Sequence, residues 1–184
     1  MKKKFTHIAR RSLQGAVICG LMMMAPVSGE LIENKAQAEE AKRTVRGSGL
    51  KVPRFVTLKF SEANLRAGPG REYPVLWQYR KVGLPLLVDA EFGVWRKVID
   101  HEGTSGWMHG AGLSLRRMVI VRNPMVEIYA DSRDDSAVVA LAERNALLEL
   151  ESCPKNWCQV STEQIKGWIK RQDIWGVRAD ESLE

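Results

Sequence analysis

The chain has 184 residues, 45% hydrophobic and 27% charged, which excludes a disordered chain and leaves room for one ordinary domain or two small ones. Its net charge of +6 points toward nucleic acid only until it is divided, because residues 1–38 carry +4 of it. The remaining residues hold 22 basic and 20 acidic side chains, too even a balance for a nucleic-acid surface.

Residues 1–38 read as an export signal. Lys2, Lys3, Lys4, Arg10 and Arg11 form a positive start, residues 13–27 are apolar without charge, and Ala36-Gln37-Ala38 is a small-x-small cleavage site. The apolar run is shorter than the about 20 residues a spanning helix needs. Cleavage falls after Ala38 or after Gly29, with a retained anchor as the alternative. The expected location is periplasmic or secreted, with no stable transmembrane segment after cleavage. Cys19 leaves with the signal, so Cys153 and Cys158 remain as an even pair in an oxidising compartment.

Residues 39–54, charged and containing Gly47-Ser48-Gly49, read as a flexible leader. From Phe55 onward the apolar runs are short and broken by Gly, Pro, Asn and Asp, the pattern of small barrels or a sandwich. Strands are predicted over 55–59, 63–67, 76–81, 85–90, 95–99 and 105–109. Gly68-Pro69-Gly70, Gly83, Gly93 and Glu102-Gly103 supply the turns.

The second half repeats the first. Leu65-x-Ala67 matches Ile128-x-Ala130, and Pro74-Val75-Leu76 matches Ala137-Val138-Val139, both at an offset of 63. Leu86-x-Val88 matches Leu148-x-Leu150, and Trp95-x-x-Val98 matches Trp157-x-x-Val160, at 62. Gly106-Trp107 matches Gly167-Trp168 at 61. Two copies of one domain are therefore expected, at 55–115 and 118–177, joined through Arg116-Arg117. A frayed tail is expected over 178–184. A unit of ~60 residues buries only about 60% of its unfolded surface, so the copies should pack together, or the cysteine pair should support the second.

Asn64-Leu65-Arg66-Ala67-Gly68-Pro69-Gly70 with Tyr73-Pro74-Val75, the Trp95 strand ending in Val98, and Gly106-Trp107 resemble the bacterial SH3-like (SH3b) domain. The likeness covers residues 55–176. The second copy departs from the pattern, with Tyr129 in place of the arginine and Asp131-Ser132-Arg133 in place of Gly-Pro-Gly. The tandem layout is similar to that of exported alphaproteobacterial SH3-like proteins. The resemblance implies an all-β chain of two tandem small SH3-like β-barrels, five to six strands each, without catalytic machinery. It also implies partners among cell-wall peptides or envelope proteins.

Arg66, Tyr73, Trp95 and Trp107 are the candidate ligand-binding residues. Strand alternation puts Trp95 opposite the inward Val98 unless a bulge turns it in, and puts Trp107 and His109 opposite Met108. The rings either seal the ends of small barrels or line an aromatic groove for an extended peptide. Arg66 either meets a ligand carboxylate, lies solvated, or pairs with Glu62 or Glu72. Cys153-Pro-Lys-Asn-Trp-Cys158 reads as a hairpin tip closed by a disulfide. A redox role is disfavoured because Cys-x-x-Cys is absent. No metal site or cofactor is expected, since after the signal only His101 and His109 remain and no second cysteine pair exists. No nucleophile motif precedes those histidines. The reading is therefore a noncatalytic binding module for cell-wall peptides or an envelope protein, with a periplasmic structural or adaptor protein as the alternative.

Overall fold

The computed structural model describes residues 47–183, so the expected signal lies outside the described residues. The first repeat contains β1 (Arg54–Leu58), β2 (Ala63–Arg66), β3 (Val75–Tyr79), β4 (Pro85–Phe92), β5 (Trp95–Ile99), β6 (Ser105–His109) and β7 (Leu113–Ser114). The second contains β8 (Met118–Val121), β9 (Met125–Tyr129), β10 (Val138–Glu143), β11 (Leu147–Ser152), β12 (Trp157–Ser161), β13 (Lys166–Lys170) and β14 (Ile174–Trp175). Short 3-10 turns, Gly110–Gly112 and Arg171–Asp173, precede β7 and β14. The sheet orders are β3-β2-β6-β5-β4-β1-β7 and β10-β9-β13-β12-β11-β8-β14, with each strand of the second replacing its counterpart seven places earlier. The tandem all-β duplication read from the sequence is thus present.

One detail differs from expectation. Each sheet has seven strands rather than five or six, and it does not close into a barrel. β3 and β7 stand at opposite ends of their sheet, as β10 and β14 do in theirs. β7 and β14 are two residues long and can pair with only one neighbour.

Alternation builds each core. Leu65, Leu86, Val88, Val98 and Met108 are almost fully buried in the first, and Ile128, Leu148, Leu150, Val160 and Ile169 in the second. Gly106 and Gly167 sit where β6 and β13 pass closest to β2 and β9. A Cβ on Gly106 would lie 2.8 Å from the Arg66 carbonyl oxygen, and one on Gly167 would lie 2.7 Å from that of Tyr129.

The repeats pack against each other. Ile120 of β8 is buried in the first core, with Leu147 and Trp175 against it. The Trp175 ring meets Phe55 edge-on at 4.8 Å. The Thr57 hydroxyl donates to the Arg116 carbonyl, and Lys81 Nζ donates to the Asn145 carbonyl at 3.1 Å.

Both terminal segments are fastened at equivalent places. In the β4–β5 hairpin, Glu91 and Arg96 are cross-strand partners joined at 3.0 Å. Glu91 also accepts from Arg54 at 2.5 Å, and from the Ser48 amide and hydroxyl at 2.5 and 2.9 Å. Ser48 and Arg54, in the part of the expected flexible leader that the structure describes, thus both contact Glu91. Sixty-two residues later, in the β11–β12 hairpin, Cys153 and Cys158 hold the same two positions and form a disulfide. There the Cys153 amide donates to the Leu183 carbonyl at 2.7 Å, and Arg171 Nη2 donates to the Cys153 carbonyl at 2.7 Å. Arg171 Nη1 donates to the carbonyls of Arg178 and Glu181 at 2.6 and 2.8 Å. Residues 178–183, in the tail expected to fray, thus meet a hub arginine and a strand-like bridge.

Both cysteines are inaccessible to solvent, which suits a structural bond rather than thiol exchange. The Cys153→Ser/Cys158→Ser variant should lose about 2 kcal/mol, the chain-entropy value for so short a loop. Urea unfolding measures the loss. Faster amide exchange at Leu183 than in the parent would show the tail released, and unchanged exchange would show that Arg171 alone suffices.

Candidate functional site

Three of the four candidate residues, Arg66, Trp107 and Trp95, are positioned by β2, β6 and β5, which lie side by side in the sheet, and Tyr73 stands on the turn after β2. Gly106, Met108 and Val98 face the core, so Trp107, His109 and Trp95 face outward. Trp95 takes the outer position, and no bulge turns it in. The register pairs Arg66 with Trp107, Lys97 with Trp107 and Trp95 with His109. The Trp95 and His109 rings meet edge to face at 5.4 Å. Arg66, Trp107, Lys97, Trp95 and His109 therefore form one continuous outer surface, with both tryptophans half-buried.

Two local devices hold this surface. Arg66 Nη1 donates to the carbonyls of Arg71 and Tyr73, at 3.1 and 2.8 Å, and closes the turn after β2. It forms no ion pair with Glu62 or Glu72. The Tyr73 ring lies over Gly68, where a Cβ would come within 2.4 Å of it, so this glycine is required by contact. In the turn of the β5–β6 hairpin, Asp100 accepts from the amides of Glu102 and Thr104, and from the buried Tyr79 hydroxyl at 2.7 Å. Burial and then this bond push the Tyr79 phenol far above its usual range, so it remains a donor.

The same face in the second repeat carries different chemistry. Tyr129 pairs with Trp168, and Trp157 pairs with Lys170. The Tyr129 ring meets Trp157 edge-on at 5.3 Å. Lys170 Nζ lies 5.6 Å from the Trp157 ring centre and 2.5 Å from an Asp134 oxygen, and the bond to Asp134 raises the lysine pKa. The sequence reading left this second face unassigned, although the repeat offset that links Trp157 to Trp95 marks it.

Among the described residues, no three His, Cys, Asp or Glu side chains are grouped to hold a metal ion. No helix among them is long and apolar enough to cross a membrane. The surface offers exposed aromatic area, two cations and an imidazole, which suits adhesion to an extended chain.

The bacterial SH3 domain family model matches residues 59–114 and 122–176, so the chain belongs to that family, twice over. Domains of this family are typically binding modules. No curated protein matches the chain. Among solved structures, an NlpC/P60 family protein from Bacillus cereus is 17% identical, with a TM-score of 0.30, over 70% of this chain and 58% of that one. NlpC2 and NlpC1 from Trichomonas vaginalis are 7% and 10% identical, each with a TM-score of 0.30. They are matched over 68% and 69% of this chain and 49% and 47% of their own. The chain thus spans about half the length of these neighbours.

Proposed function

We propose that this chain is an exported, noncatalytic binding module that docks on cell-wall peptides or an envelope protein through the outer face of β2, β6 and β5. The observation that carries this reading is the convergence of Arg66, Trp95 and Trp107 on one surface, with Tyr73 seated on the adjoining turn. Aromatic rings add contact area at small entropic cost, and the Arg66 and Lys97 cations can meet ligand carboxylates or carbonyls. The basic, apolar start of the chain supports export. The test is retention of the purified chain on isolated cell wall. Trp95→Ala and Trp107→Ala should each reduce retention about tenfold, in keeping with aromatic anchors at an interface. Equal retention of parent and variants, with folding intact, would discard the assigned face.

A second reading, an adaptor that contacts only protein, draws on the edge strand β3. Val75, Leu76 and Trp77 are exposed there, Trp77 by 57%, on a strand with no neighbour on its far side among the described residues. Such an edge suits strand addition by a partner. Cross-linking from Trp77-adjacent positions in envelope extract to one protein, without wall retention, would favour it.

A further inference from the structure

The second repeat carries a groove of about 540 Å³ beside the Arg171–Asp173 turn. Trp157 and Trp175 give it apolar walls, while Arg122, Asn156, Lys170 and Gln172 are polar lining residues. By register three of its lining residues have small counterparts in the first repeat, Ser114 for Trp175 and Gly110 and Ala111 for Arg171 and Gln172, whereas Arg122 and Trp157 correspond to Lys59 and Trp95. The second repeat lost the Gly-Pro-Gly turn but gained a lined hollow on this side. The volume falls within the about 300–1,000 Å³ of ordinary small-ligand pockets.

Charge bookkeeping selects the ligand. Lys170 is neutralised by Asp134. The Arg171 guanidinium is committed to the carbonyls of Cys153, Lys155, Arg178 and Glu181. Arg122 is exposed, and its side chain makes no hydrogen bond or ion pair among the described residues. One uncompensated cation therefore faces a groove with aromatic walls. Asn156 and Gln172 have side-chain amides without partners among the described residues, and each offers both a donor and an acceptor. A peptide backbone needs both, whereas a simple anion needs donors only.

We propose that this groove binds the free carboxyl end of a short apolar peptide. The carboxylate meets Arg122, the last peptide unit bonds to Asn156 and Gln172, and the terminal side chain lies against Trp157 and Trp175. The site is separate from the face on the first repeat and does not depend on it.

Acetyl-Ala-Ala-Leu, as the free acid and as the C-terminal amide, is titrated into the full oxidised chain. The tryptophan indole N–H resonances are followed by NMR. The acid should shift Trp157 and Trp175, with the amide binding at least tenfold more weakly. Arg122→Gln, at an exposed position, should weaken the acid about tenfold and leave the unliganded spectrum unchanged elsewhere. Arg80→Gln, at an exposed arginine outside the groove, should leave acid binding as in the parent. Equal binding of acid and amide, an unaffected Arg122→Gln variant, or no shift at Trp157 and Trp175 up to saturating peptide would each overturn the proposal. Shifts confined to Trp95 and Trp107 would overturn it while supporting the first-repeat face, and wall retention lost on Trp95→Ala without peptide-acid binding would do the same.

Discussion

Glu91→Gln should lower the stability of the chain by about 3 kcal/mol, the low end of what removing one partner of a buried ion pair costs. The carboxylate is nearly inaccessible and faces both Arg54 and Arg96, whose side chains keep 17% and 12% of their exposure. Glutamine leaves two cations sharing a site with no countercharge and weakens the hold on Ser48. The effect is pH-dependent in a definite sense. Burial by itself would raise the Glu91 pKa. The Arg54 guanidinium and the Ser48 amide and hydroxyl bond to its charged form and hold it below the usual carboxylate range instead. A depressed folded value means that the contribution is complete above the unfolded pKa, about 4.3, and is lost as pH falls through the folded value. Urea midpoints taken from pH 7 to pH 3 should therefore converge for parent and variant at the acid end. Parallel curves would show that Glu91 is not the acid-sensitive group.

Gly106→Ala is the second large effect, about 3 kcal/mol, the upper part of the range for overpacking a rigid site. The added methyl would stand 2.8 Å from the Arg66 carbonyl oxygen and 2.7 Å from Leu65 Cγ. One contact is backbone, and the other belongs to a side chain with no exposure, so neither can move aside. The strand pushed away is β2, which carries Arg66 opposite Trp107, so wall retention should fall with stability. Gly112→Ala is the control. Nothing lies within 4 Å of a Cβ there, and the change should stay within about 0.5 kcal/mol. Thermal unfolding of the two variants side by side decides it, and equal midpoints would remove the close-approach argument.

Much of this architecture was legible in the sequence because alternation and turn glycines are local signals. Residues 95–99 and 105–109 are strands with the expected bounds, and the parity of Val98 and Met108 placed Trp95 and Trp107 on the outer face. β7 and β14 escaped because two residues hold no period. The open sheets escaped for the same reason, since closure depends on what those strands can reach. Tyr73 was legible as a candidate, but its seat on Gly68 is turn geometry with no pattern of its own. The groove gathers Arg122, Trp157 and Trp175 from three separate elements, and no spacing rule joins them. The match of Glu91–Arg96 with Cys153–Cys158 was present at the same offset as the tryptophans, but an ion pair and a disulfide share no residue type. Only the hairpin register makes them equivalent.

That equivalence gives the molecule a defined response to mechanical pull. Tension on the leader enters the fold at Ser48 and Glu91, four residues before Trp95 on the same hairpin. Tension on the tail enters at Cys153, four residues before Trp157. The first junction is noncovalent and yields by exchanging its partners for water. At the second, the hairpin behind the tail is closed by a covalent bond and cannot open at its tip. Both tethers are themselves noncovalent, but past the tail's the disulfide keeps the hairpin closed, whereas past the leader's only the Glu91–Arg96 pair closes the hairpin that carries Trp95.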